Sequence, residues 1–491
     1  MSRRPSPAVT LPPMHCTAIA GAALAASILC TAASAQHPTQ QQDAAQPMYV
    51  APASTAAQEQ IAAFTLAPGL QCQLVAAEPD LCNVVAFAID GKGTIYVSET
   101  FRIHDGVFDT REHMQWKDED LACLTVQDRI AKYEKYLSKE IPGYAKFSER
   151  VKVLFDDDKD GRVDRSEVFA SGFADLADGI ASGVLPIGHD VWFTDIPRLW
   201  RLTDSDSDGK AEAREAVFDG FGVHTSLIGH DLHGLCLGPD RRLYFSIGDR
   251  GFCVVTKEGR TLAFPHEGAV LRCELDGTNL EVVHRGLRNP QELAFDDFGD
   301  LFTGDNNSDG GDRARLVHVV EGGDSGWRQS YQWITEPALR GPWNEEKLWY
   351  PHFEGQAAYL VPPIANFADG PSGLAIHPGT GFSRAFAGKL FLCDFRGDAK
   401  SSGVHAIELA REGAGFRFAK SEHVLWKVLA TDCDFGPDGA LYVTDWTQGW
   451  SQPGKGRLYR VYEPSARDAE LAKTTRALLA SGVAKKTEDE L

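Results

Sequence analysis

The chain has no excess of basic residues. Its 491 residues carry 49 Lys and Arg against 69 Asp and Glu, a formal charge of −20. That balance excludes binding to nucleic acid, or to an anionic membrane, through charge. Beyond the first 35 residues there is no apolar run long enough to span a bilayer. There is no C-x-x-C-H, so no covalent c-type haem is encoded. The terminal Glu488-Asp489-Glu490-Leu491 lacks the leading Lys of an ER-retention signal.

What the first 35 residues do contain is a secretory pattern. Arg3 and Arg4 make a basic start, Ala18–Leu29 is small and apolar, and Ala33-Ser34-Ala35 is an A-x-A cleavage site. Removing two Arg and no acid leaves the mature chain near −22. Cys30 offers a lipoprotein site as a second reading, although Leu29 is large for the preceding position. An exported protein, periplasmic or secreted, is the expectation. Residues 36–63 begin rich in Gln, Ala and Pro and read as a flexible linker. Eight cysteines follow the cleavage site, at 72, 82, 123, 236, 253, 273, 393 and 433. Export permits disulfides. Cys72 and Cys82 flank the turn-like Glu78-Pro79-Asp80 and are the best candidate pair; the alternative is buried free thiols.

One pattern recurs six times: an apolar stretch, a turn, a short strand with an aromatic residue, then an acid. The copies span Phe87–Glu99, Gly183–Asp195, Gly234–Asp249, Glu292–Asp305, Gly373–Asp394 and Asp432–Asp445. Their aromatics are Tyr96, Trp192, Tyr244, Phe302, Phe391 and Tyr442. The alternation has period two, as in strands. Turns such as Gly-Pro-Asp supply tight reversals. Such self-similarity marks an array of supersecondary units. The fold class expected is all-β, a six-bladed propeller over 64–462 with helical and loop insertions. The main insertion covers about 101–148, helical over Leu121–Ile141, and the tail over 463–491 holds at most a short helix. The closing acids Glu99, Asp195, Asp249, Asp305, Asp394 and Asp445 occupy equivalent positions. They form either an electronegative channel mouth or ordinary turn chemistry.

Two stretches fit D-x-D-x-D-G-x5-E. Asp156, Asp158, Asp160 and Glu167 form one; Asp204, Asp206, Asp208 and Glu215 form the other. Calcium takes several hard oxygens, the odd-numbered side chains point inward, and Gly permits the sharp turn. The flanks are strand-like, so the loops belong to blade hairpins. The alternative is an Asp-rich solvated turn. Candidate chemistry lies where the third and fourth inner strands begin. His230 there is a candidate general base, with His224, His233 and His189 as competitors. Arg288 can pair with a carboxylate.

The stretch Arg288-Asn289-Pro290-Gln291 resembles a segment of the soluble PQQ-dependent glucose and aldose-sugar (sorbosone-type) dehydrogenases. So do His230 with Leu235–Asp240, and Gly322–Trp327. The span Phe64–Tyr462 more closely resembles the propeller of secreted planctomycete-type "membrane-bound dehydrogenase domain" proteins. Shared stretches are Asp178–Gly183, Ser246–Gly251, Gly341–Asn344 and Phe391–Gly397. The resemblance implies a PQQ cofactor above the channel, Ca²⁺, and oxidation of a sugar, polyol or aldose with an electron acceptor the sequence does not name. It implies that His230 is the base, that Arg288 contacts PQQ, and that Asn289 and Gln291 line its site. Arg396, Lys455 and Arg457 are candidates for the PQQ carboxylates. The chain departs from the family where His233-Gly234 replaces Gly-Arg. Two other readings stand beside this one: a calcium-dependent, lactonase-like hydrolase, and a non-catalytic glycan- or partner-binding propeller.

Overall fold

The protein is described by a computed structural model over residues 48–334, 336, 341–348, 352–353 and 360–482. The secretory pattern over 1–35 lies outside the described residues. Six antiparallel sheets form the blades. The first is Val84–Ile89, Ile95–Glu99, Glu149–Phe155 and Arg165–Phe173. The second is Val184–Ile187, Asp190–Asp195, Arg198–Thr203 and Ala213–Asp219. The third is Leu232–Leu237, Leu243–Ile247, Gly268–Cys273 and Glu281–Leu287, with Gly323–Asp324 added in parallel at its edge. The fourth is Pro290–Phe295, Leu301–Asp305, Arg315–Val319 and Ala365–Asn366; the fifth is Pro371–Ile376, Leu390–Asp394, Gly403–Glu412 and Gly415–Trp426. The sixth takes Ala430–Phe435, Leu441–Asp445 and Arg457–Tyr462 from the end of the chain and Gln71–Ala76 from its beginning. The first strands contact one another in succession around the channel, and that of the sixth blade meets that of the first.

Each repeated aromatic packs across a blade boundary. Tyr96 joins the cluster of Val184, Val191 and Phe193 of the second blade, and Trp192 joins Leu235, Leu243 and Phe245 of the third. Tyr244 meets Leu293, Leu301 and Val317, and Phe302 meets Leu374, Leu390 and Leu392. Phe391 meets Cys433, Leu441 and Val443, and Tyr442 closes the ring on Val84, Phe87 and Val97. A four-stranded blade cannot bury both faces by itself; its neighbours complete the core. The ring therefore has six equivalent apolar joints.

The part of 36–63 that is described is not a flexible linker. Ala56–Gln60 is helical, Ala51 and Ala57 are buried, the Tyr459 hydroxyl donates to the Ala57 carbonyl at 3.0 Å, and Ala51 N donates to Gly454 O at 2.7 Å. The insertion carries Lys117–Ala122 and Val126–Leu137 as helices, and the second begins with a reciprocal Thr125–Asp128 capping box. The tail holds two helices, Pro464–Arg467 and Glu470–Ser481. Cys72 and Cys82 are not a disulfide; both thiols are free, and burial pushes each up to about 12. Cys72 is committed to the strand that pairs with Arg457–Tyr462, opposite Val461.

Ring closure depends on the early strand, so a buried charge there should be costly. Val75→Asp is expected to destabilise by on the order of 3 kcal/mol in urea unfolding, since an unpaired charge enters the joint. Val168→Asp, on the exposed edge of the first blade, should cost less than about 0.5 kcal/mol. Equal costs would contradict the closure.

Candidate functional site

The repeated acids are buried, and they do not form an electronegative mouth. In five blades the acid ends the second strand and accepts backbone N–H groups from the chain entering the innermost strand. Glu99 accepts from Cys82 N at 2.8 Å and Asp195 from Gly179 N at 2.9 Å. Asp305 accepts from Arg288 N and Asn289 N, at 3.0 and 2.7 Å. Asp394 accepts from Asp369 N and Gly370 N, and Asp445 from Leu429 N at 3.2 Å. A buried carboxylate demands such donors. The acids thus tie down the neighbouring entry segment, not chiefly their own turns.

The third blade departs from this rule. Asp249 receives no backbone N–H from its entry segment; it holds side chains. Ser226 Oγ donates to Oδ1 at 2.6 Å, His230 Nδ1 donates to the same oxygen at 2.7 Å, and Trp327 Nε1 donates to Oδ2 at 2.9 Å. Burial alone would raise the Asp249 pKa. The charge and hydrogen bond of His230, with Arg288 and Ser226 behind them, hold it below its usual value. An ionised Asp249 fixes His230 with Nδ1 protonated, which leaves Nε2 as the reactive nitrogen. The segment carrying His230 is braced by the buried Arg250–Asp231 pair at 2.9 Å.

A cavity of about 770 Å³ opens over this dyad. His230, Arg288, Asn289, Gln291 and Arg396 all line it. Arg288 is buried; one guanidinium nitrogen donates to Asp309 at 3.0 Å, and the group lies 5.6 Å from the Trp327 ring centre. Arg288 Nε and Asn289 Oδ1 are buried without hydrogen-bond partners. Gln291 donates to the Gly229 carbonyl at 3.3 Å. Lys455 and Arg457 do not line the cavity; Arg457 is buried against Glu78 and Gln60 beneath the last blade. Of the competing histidines, His233 lines the cavity but bonds the Gly229 carbonyl at 2.8 Å, and burial lowers its pKa. His224 is packed against the insertion through Cys123 O, and His189 lies in the turn between the first two strands of the second blade, against the Asp204 carbonyl.

Sequence reasoning missed three contributors. Trp327 bridges Asp249 and the Arg288 guanidinium, and its only sequence signal was the Gly-Gly-Asp-Ser-Gly-Trp stretch. The insertion supplies Asp109 and Arg111 to the wall, with the Arg111 guanidinium donating to both carboxylate oxygens at 2.9 and 2.8 Å. It is clasped to the His230 segment by a buried network. Lys132 donates to Asp120 and Thr225, Thr225 N donates to Asp120 at 2.9 Å, and Tyr331 donates to Asp120 at 3.1 Å. The third contributor is the pair of channel acids, Glu292 and Asp432, on the inner strands of blades four and six. Burial, reinforced by Asp432, raises Glu292 well above its usual value. Burial likewise pushes Asp432 up to about 7, against the N–H groups of Phe87 and Cys433.

The two acidic loops close the outer hairpins of blades one and two. Gly161 and Gly209 sit at φ of 88° and 89°, in the region that favours glycine, and donate to the first Asp of each loop at 2.9 and 3.0 Å. Asp204, Asp206 and Asp208 converge with Glu212, and Asp156 and Asp158 with Asp164. Asp160 instead accepts from Arg162 N at 2.7 Å. Glu167 pairs opposite Val153 in the outgoing strand, and Glu215 opposite Arg201. A strand rises about 3.3 Å per residue and carries the twelfth position away from the loop, while the ninth acid stands with the loop's other carboxylates.

Two outcomes follow from these buried acids. Asp305→Ala leaves the Arg315 guanidinium buried and unpaired, and should cost about 3–5 kcal/mol in chemical unfolding. A cost below 1 kcal/mol would show that the acid does not hold the loop. Asp432 has a folded pKa of about 7, above its unfolded value of roughly 4. Its contribution favours the fold below pH ~4 and is lost as pH rises through about 7. The melting temperature of Asp432→Asn should therefore gain on the wild type between those limits; parallel curves would contradict the assignment.

Comparison with known proteins fits this geometry. Residues 56–464 match the family described as "Domain of unknown function (DUF7133)". The Quinoprotein glucose dehydrogenase B of Acinetobacter calcoaceticus is 31% identical over 124 residues, 20% of this chain and 26% of that protein. The chain thus spans about a quarter of the length of that curated relative. Two solved structures of proteins named glucose dehydrogenase each superpose with a TM-score of 0.50 at 16% identity. They cover 79% of this chain, and 98% and 99% of their own chains. At that identity the likeness shows the fold. Because its match runs through all six blades, the chain belongs to the DUF7133 family.

Proposed function

We propose that the protein is an exported quinoprotein-like dehydrogenase that oxidises a sugar or related polyol or aldose with PQQ. The observation that carries the reading is the buried His230–Asp249 dyad in one cavity with Arg288 and Asn289, whose Nε and Oδ1 are unpartnered. These residues fit the cofactor. PQQ is a planar tricarboxylate, and a guanidinium suits a carboxylate by shape and charge. Arg288 and Arg396 would hold carboxylates, with Asn289 and Gln291 beside them. When bound, the quinone supplies a two-electron acceptor for the substrate carbon. The protein supplies the proton chemistry: His230 Nε2 accepts the hydroxyl proton, and ionised Asp249 stabilises the imidazolium that results. The clasped insertion and Trp327 would limit movement of the base. Export rests on the basic, apolar and A-x-A pattern of residues 1–35.

Calcium enters the same proposal through the acidic loops. Asp156, Asp158 and Asp164 would hold one ion; Asp204, Asp206, Asp208 and Glu212 the other. Their converging carboxylates support it, as does the buried, unpartnered Asp156 Oδ1. Both ions would stiffen outer hairpins. At a hundredfold excess over the dissociation constant, calcium should stabilise the fold by roughly 3 kcal/mol. A melting temperature indifferent to chelator would reduce the loops to acidic turns.

The test of the activity is titration of the purified protein with PQQ and calcium, then dye reduction across a sugar panel. The expected outcome is saturable PQQ binding and sugar-dependent reduction. His230→Ala should lower the rate roughly 100- to 10,000-fold and spare PQQ binding. Arg288→Ala should weaken PQQ binding by about 2–3 kcal/mol. Absence of both PQQ binding and dye reduction would overturn the reading. Lactone turnover without an electron acceptor would then select the calcium-dependent hydrolase, to which the channel acids Glu292 and Asp432 are suited; turnover of neither would select a binding propeller.

A further inference from the structure

At the open margin of the cavity, on the loops of the fifth and sixth blades, three aromatic residues gather. Trp446 and Phe395 line the wall, and Trp450 stands 68% exposed beside them. A single exposed aromatic side chain is ordinary on a protein surface. This one is held. Phe395 meets the Trp450 ring edge-on, with centroids 4.9 Å apart. Gly397, at φ +76°, lies so close that a Cβ there would sit 2.3 Å from Trp450 Nε1. The indole is thus buttressed by neighbours and open to solvent at the cavity lip. Close by, Trp446 is 4% exposed, and its Nε1 is buried with no partner in the protein. His104, partly exposed, lines the same cavity.

An apolar plate with hydrogen-bonding groups at its border matches the two surfaces of a pyranose. The C–H face packs on the indole, and the hydroxyls at the ring edge reach the polar groups. The plate lies at the margin, whereas His230 is 3% exposed in the interior. The ring being oxidised must reach His230, so the ring on Trp450 is a different one. We propose that Trp450, supported by Phe395 and Gly397, is the platform for a second sugar ring, and that the substrate is an oligosaccharide or glycoside end in preference to a free monosaccharide. This rests on the reading of the cavity as a sugar dehydrogenase site.

The experiment compares cellobiose and maltose with glucose, on the full chain, by two readouts. In the PQQ-loaded protein, Trp450→Ala should lower the disaccharide-to-glucose ratio of kcat/KM about tenfold, through KM, while Trp450→Phe keeps most of it. Without PQQ, calorimetric titration with the same sugars should show disaccharide binding that weakens about tenfold in Trp450→Ala. A ratio and a binding isotherm unmoved by the Ala variant overturn the platform, as does a wild type that binds no disaccharide. If no sugar is oxidised but disaccharide binding still falls with Trp450→Ala, the platform stands and the dehydrogenase reading fails.

Discussion

The structure depends on a buried carboxylate repeated at each blade. Every copy closes the second strand and, in five blades, grips the backbone of the segment that leads into the channel-lining strand. The need is electrostatic. A carboxylate removed from water must be matched by donors, and an entry segment that has left its sheet must place its N–H groups. One side chain meets both requirements. The aromatic residue earlier in each copy packs on the next blade, so one short pattern fixes loop and joint together.

The third blade shows what such a constraint permits. With backbone donors replaced by Ser226, His230 and Trp327, the structural acid becomes the partner of an imidazole. A position already committed to a buried charge is a low-cost place to orient a base. The neighbouring fourth blade keeps the rule, and its Asp305 holds the backbone of Arg288 and Asn289, cavity-lining residues that each carry a buried, unpartnered polar atom. The same repeated device thus holds an imidazole in one blade and a cavity-lining segment in the next.

Much of this was legible in the sequence. Tyr96, Trp192, Tyr244, Phe302, Phe391 and Tyr442 revealed the blade count, because packing across equivalent joints enforces equivalent residues. One cavity is lined by His230, Arg288, Asn289 and Gln291, and it separates Arg396 from Lys455 and Arg457. The burial of the repeated acids was not legible, since an Asp at a strand end reads alike whether it faces solvent or a loop. The closing strand Gln71–Ala76 belongs to no repeat copy, so its pairing with Arg457–Tyr462 left no periodic trace. Glu167 and Glu215 complete a sequence pattern drawn from loops followed by helices; here strands follow, and Asp164 and Glu212 stand nearer. The clasp of Asp120, Lys132, Thr225 and Tyr331 joins distant segments through polar residues that any surface helix could carry.

The central claim is that the third blade's acid holds His230 as a base with its reactive nitrogen free. Nitrogen NMR of isotope-labelled histidine, with His230 assigned from a His230→Gln variant, reads this directly. The account predicts that neutral His230 carries its proton on Nδ1, and that Asp249→Asn abolishes this preference. A neutral His230 protonated on Nε2 in the wild type, or a tautomer indifferent to Asp249→Asn, would contradict it.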